Sequence, residues 1–154
     1  MSQLIVDTLG VSIERKVKAT QPGQLPRIAL ETDEGITVPS LLLLPGGAAG
    51  PLPAVVYLNS AGKSDGDGPG GDIEALVKSG HVVLAIDVRG CGETAPPGRQ
   101  GGYSSTYQTF MRAFLTGKTL AGMQVTDVLQ SIRYLRERKE VDPARVSIFG
   151  KSNG

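Results

Sequence analysis

The chain has 154 residues, 40% of them apolar and 20% charged, with a formal net charge of +1. That length accommodates one ordinary domain with a sizeable core, and the composition is neither that of a disordered chain nor that of a membrane protein. Balanced charge without long runs of one sign excludes a dedicated nucleic-acid binder and an electrostatically held membrane protein.

The longest apolar run, residues 41–44, falls far short of the roughly 20 residues a membrane-spanning helix needs. The N-terminus lacks the basic start and long apolar core of a signal peptide, so a cytoplasmic location is the expectation. Cys91 is the only cysteine, which excludes an intrachain disulfide and a Cys-based metal site. No base lies near it in sequence, so it reads as a small loop residue rather than a nucleophile. His81, the only histidine, directly precedes the apolar run 82–86 and reads as a structural strand-entry residue.

In chain order, residues 11–19 and 27–32 alternate as strands around a Pro- and Gly-containing turn and predict a hairpin. A third strand follows over 36–44, with Pro39 favouring a sheet edge. Residues 54–58 are continuously apolar, as in a strand covered on both faces. A Gly- and Asp-rich loop, 59–71, leads to a helix over 72–79 with Asp72 as N-cap and Gly80 as its stop, and then to a buried strand at 81–86. This is a βαβ unit, right-handed by the usual rule. Residues 87–105 are too irregular for an element and long enough to be functional. A short helix over 107–115 precedes the strongest one, 119–138, whose Val125, Val128, Leu129, Ile132 and Leu135 recur at helical spacing. Residues 142–145 connect it to a last strand, 146–149.

That strand runs into Gly150-Lys151-Ser152-Asn153-Gly154, the Gly-x-Ser-x-Gly pattern of a nucleophile elbow, in which small flanking residues let a strand turn sharply and expose a serine hydroxyl. Among 21 glycines the pattern alone is weak, and its context decides it. That context is the strand and loop 55–63, the run 80–94 containing Asp87-Val88-Arg89-Gly90, the helix end Tyr134-Leu135-Arg136, and residues 141–154. In order and spacing these stretches resemble the α/β-hydrolase family, in its branch of dienelactone hydrolases, prolyl oligopeptidases and acetylxylan esterases.

The resemblance implies an α/β fold in which antiparallel strands (1–44) lead into a mostly parallel, helix-covered core (53–154). It implies Ser152 as the nucleophile of an acyl-transfer hydrolase, with an oxyanion hole from the main-chain N–H groups of Asn153 and Ala61. Many relatives have His-Gly where this chain has Asn59-Ser60, which puts the loop conformation in question. The family places its acid and histidine after the nucleophile, and Gly154 ends the sequence. The expectation is therefore the N-terminal part of a larger hydrolase, with no cofactor or metal and a small ester or acetylated carbohydrate as substrate. A complementing C-terminal portion, or self-association, would occupy the open edge of the last strand.

His81 enters its strand at the end opposite the catalytic loops, and Asp87, at the correct end, reads as structural. Two nucleotide readings fail. Neither Gly62-Lys63-Ser64 nor Gly150-Lys151-Ser152 has the first glycine of a P-loop, and Gly66-Asp67-Gly68 begins too far past its strand, between acidic residues, to hold a pyrophosphate. An inert module of the same fold and a serine peptidase are the competing functions.

Overall fold

The computed structural model describes residues 18–20, 27–47, 50–66, 68, 70–100 and 103–152, which form eight strands and three α-helices. Strands β1 (Lys18–Thr20), β2 (Arg27–Asp33) and β3 (Ile36–Leu43) make an antiparallel arm. Residues 11–17 and 21–26 of the expected hairpin lie outside the described residues. Alternation in β2 sends Ile28, Leu30 and Thr32 inward, as period-two patterning requires.

The core follows as β4 (Leu52–Asn59), α1 (Asp72–Lys78) and β5 (Val82–Ile86). After it come a two-residue pair, β6 (Arg99–Gln100) with β7 (Tyr103–Ser104), then α2 (Ser105–Leu115), α3 (Leu120–Arg136) and β8 (Val141–Lys151). The six-stranded sheet has the order β1-β2-β3-β5-β4-β8, antiparallel up to β5 and parallel from β5 through β4 to β8. The chain steps from β4 to β5 and then back across β4 to β8. Right-handed crossovers in opposite directions put the connecting helices on opposite faces. Ile73 of α1 accordingly packs with Leu41, Tyr57, Val83 and Ala85, and Leu135 of α3 with Leu30, Val56, Leu84 and Ile86. Every residue of β5 is buried, as expected of a strand covered on both faces.

Four expectations need correction. First, β3 is interior, not an edge strand. Pro39 is tolerated because its carbonyl, which accepts from Asp87 N–H at 3.0 Å, and its nitrogen both face the end of β5, where the ladder stops. Second, Asp72 is the first residue of α1 and not its N-cap. Gly71 occupies the cap without a side-chain bond, and the Asp72 carboxylate is engaged elsewhere. Gly80 does stop the helix: at φ +88 its N–H donates to Val77 and that of His81 to Leu76, a Schellman closure. Third, α3 buries more than its apolar stripe: Val128, Ile132 and Leu135 pack on the core as their spacing predicts, but polar residues are buried beside them and Val125 is not. Its fully buried positions are Gly122, Thr126, Asp127, Gln130, Ser131 and Leu135, whereas Val125 is 39% exposed. Fourth, the last strand extends over Val141–Lys151, with Asp142-Pro143-Ala144-Arg145 bulging where β4 has Pro53 alone. The region between β5 and α2 also carries a 3₁₀ turn, Gly92–Thr94, and α2 begins two residues earlier than its apolar pattern suggests.

Candidate active site

Parallel pairing brings the ends of β4 and β8 together, with Leu58 opposite Gly150 and Asn59 opposite Lys151. Ser152 follows the end of β8 and Ala61 lies just past the end of β4. Both therefore belong to the sheet end where open α/β sheets take their ligands. Asn153 lies outside the described residues. His81 stands before β5, at the other end of the sheet, with its Nδ1 2.9 Å from Ser79 Oγ.

Ser152 is exposed and has φ 62, and among the described residues it is the one non-glycine residue with positive φ. A side chain in this left-handed region is uncommon and costs roughly 1–3 kcal/mol, which the surrounding structure must supply. The residue before it is anchored. Lys151 Nζ lies 2.8 Å from Asp72 Oδ2, which also accepts from the Tyr57 hydroxyl at 3.3 Å. The Lys151 ammonium holds the Asp72 carboxyl below its ordinary range, and Asp72 in turn raises Lys151. The buried Tyr57 ring stacks on Phe149, with centroids 5.6 Å apart and planes 9° from parallel.

The loop after β4 is closed by side chains. Asn59 Oδ1 accepts the Ala61 N–H at 3.0 Å, while Asn59 Nδ2 donates to Asp65 at 2.9 Å and to Tyr57 at 3.3 Å. Gly62 N–H donates to the Asn59 carbonyl at 2.9 Å. Lys63 N–H donates to Asp87 Oδ1 at 2.7 Å, and the buried Lys63 ammonium sits 2.6 Å from Asp87 Oδ2 and 2.5 Å from Glu93 Oε1. Asp87 also accepts the Glu93 N–H at 2.9 Å. Gly92, at φ +52, lets this turn close on Asp87, because a Cβ there would lie 2.3 Å from the carboxyl carbon. Lys63 is not recognisable from sequence, since nothing local marks a lysine in a Gly-rich loop as a buried partner for a carboxylate 24 residues away.

Arg89 ties the next loop to α3. Its main-chain N–H and its Nε reach Asp127 at 3.0 and 3.1 Å, and Thr32 donates to the same buried carboxylate at 2.5 Å. Cys91 lies half-buried beside Asp87. Burial and then the Asp87 charge raise its thiol above the ordinary value, the opposite of what a nucleophile needs.

A cavity of about 350 Å³ opens between α3 and the sheet, lined in part by Leu58, Asn59, Ser60, Val88, Leu129 and Ile148. It borders the loop after β4, but neither Ala61 nor Ser152 lines it. Among the described residues no cluster of His, Cys, Asp or Glu is arranged to hold a metal ion, and no helix is long and apolar enough to cross a membrane.

Comparison with known proteins places these features. The chain is 28% identical over 161 residues to the hydrolase YtaP of Bacillus subtilis, a match covering 96% of the chain and 52% of the relative. It thus spans about half the length of the curated relative it matches. Among solved structures, a candidate acetyl xylan esterase from Bacteroides fragilis superposes with a TM-score of 0.77 at 16% identity, over 99% of this chain and 46% of that one. Acetyl xylan esterase 1 from Thermoanaerobacterium superposes with a TM-score of 0.66 at 20% identity, over 99% and 49%. These likenesses show the fold, which is the α/β-hydrolase arrangement the elbow and its context predict. The acetyl xylan esterase family profile matches residues 13–154, nearly the whole sequence, and the chain belongs to the acetyl xylan esterase (AXE1) family of hydrolases.

Proposed function

We propose that the natural protein carrying this sequence is a serine esterase that removes acyl groups, acetyl foremost, from a carbohydrate or another small alcohol. The observation that carries this reading is the left-handed φ of 62 at the exposed Ser152, because a nucleophile elbow needs that strained turn and a surface turn would be built with glycine. The structural relatives, acetyl xylan esterases among them, support the substrate class.

In this mechanism Ser152 Oγ bonds to the ester carbonyl carbon while its proton passes to a histidine base, which the family supplies after the nucleophile. The carbonyl electron pair moves onto oxygen, where the N–H groups of Ala61 and Asn153 receive it. Collapse of the tetrahedral intermediate breaks the bond to the alcohol oxygen, which takes the proton from the histidine. Water then cleaves the acyl-enzyme by the same route and releases the carboxylic acid. No cofactor enters the balance.

The test is hydrolysis of p-nitrophenyl acetate and of acetylated xylan by the natural protein. Ser152→Ala should lower kcat by about 10⁴-fold or more without unfolding the protein. Undiminished hydrolysis by that variant would reject the assignment, and cleavage of peptides in preference to esters would reject the substrate class.

A further inference from the structure

We propose that Asn59 is a positioning residue that withholds the Ala61 N–H from the ground-state ester and yields it to the developing oxyanion. This rests on the reading of Ser152 as nucleophile and Ala61 as oxyanion donor. The observation behind it is that the Ala61 donor is already bonded, at 3.0 Å, to Asn59 Oδ1. The next two N–H groups are bonded as well, Gly62 to the Asn59 main-chain carbonyl and Lys63 to buried Asp87. The Gly62 acceptor is main chain and the Asp87 carboxylate is pinned by the buried Lys63 ammonium under Gly92, so Ala61, bonded to the neutral Asn59 amide, is the donor the loop can release most readily.

The amide is held in place from its other end. Asn59 is 6% exposed, and its Nδ2 donates to Asp65 and Tyr57. A flipped amide would face the Ala61 N–H with a second donor, so the bonding network itself fixes Oδ1 toward Ala61. Tyr57 continues to Asp72 and Asp72 to Lys151, so one chain of polar contacts joins the donor loop to the residue before the nucleophile.

The consequence follows from acceptor strength. The Asn59 carbonyl and an ester carbonyl are both neutral acceptors, so exchanging one for the other gains little when substrate binds. An oxyanion is a charged acceptor and makes a hydrogen bond roughly twice as strong. The exchange therefore becomes favourable only as the tetrahedral intermediate forms. An interaction realised only there raises kcat without lowering KM.

The experiment uses the natural protein with p-nitrophenyl acetate as substrate and phenylboronic acid as the tetrahedral analogue, with thermal melting to verify folding. Asn59→Ala frees the donor for the ground state, so KM should fall by about three- to tenfold, the worth of one ordinary hydrogen bond, with kcat/KM undiminished. Asn59→Asp supplies a charged competitor, so kcat/KM and boronate affinity should fall together by about tenfold while KM stays near wild type. If Asn59→Ala instead lowers kcat/KM with KM unchanged, Asn59 is a loop scaffold and the proposal is overturned. Wild-type constants in both folded variants overturn it as well. Activity surviving Ser152→Ala would instead overturn the underlying nucleophile assignment, so the two failures are distinguishable.

Discussion

Asp72 and Lys151 show how a residue outside the chemistry can hold the elbow, and their titration gives the pair a pH signature. The Asp72 carboxyl is lowered chiefly by Lys151, so its contribution to stability is complete above the ordinary value of 3.8 and is lost as pH falls through the folded value. Lys151 is raised by Asp72, so its contribution is complete below 10.5 and is lost as pH rises through its folded value. The difference in Tm between wild type and Lys151→Met should therefore be flat across about pH 5–9 and shrink outside it at both ends, in melts recorded over that series. Asp87 presents a larger effect. In Asp87→Asn the buried Lys63 ammonium keeps only Glu93, whose side chain is 52% exposed. Urea unfolding should show a loss toward the lower end of about 3–5 kcal/mol. The left-handed turn at Ser152 was legible in the sequence, because the Gly-x-Ser-x-Gly pattern stands at the end of a strand in a matching context. The Asn59 bond to Ala61 was not, since a Gly-rich loop does not reveal which side chain turns back onto its own N–H groups.

Among the elements, α3 separates what periodicity can and cannot tell. Its extent was legible, down to Thr119, whose hydroxyl accepts the Gly122 N–H at 3.0 Å as an N-cap. The side that packs was legible as well, since Val128, Ile132 and Leu135 meet the core, but the polar residues buried beside them were not. Asp127, satisfied by Arg89 and Thr32, places a polar group within the buried face, a pairing across distant segments that periodicity does not show. Alanine substitutions measure how far along the stripe burial extends. By chemical denaturation Leu135→Ala should cost about 2–5 kcal/mol, whereas Val125→Ala, at an exposed position, should stay within about 0.5 kcal/mol. Equal costs would mean that the whole stripe, Val125 included, is buried. Pro39 teaches the same lesson in β3: proline limits which backbone donors a strand can offer, but a ladder that stops beside it makes an interior strand acceptable.

Across the whole molecule, β8 is the last strand of the six, and it presents Ile148 at 54% and Phe149 at 39% exposure. Unpaired strand edges carrying apolar side chains invite another strand. The 154 residues alone should therefore associate with rising concentration in light scattering, and Ile148→Lys should reduce that association. The parallel core and the order of its elements were legible because βαβ units follow from strand, helix and loop lengths. The proposed ester hydrolysis rests on Ser152. The most direct measurement treats the natural protein with a fluorophosphonate and locates the adduct by peptide mass spectrometry. The predicted result is stoichiometric modification of Ser152, lost in Ser152→Ala. An unmodified Ser152 in active protein, or an adduct on another serine, would contradict the account.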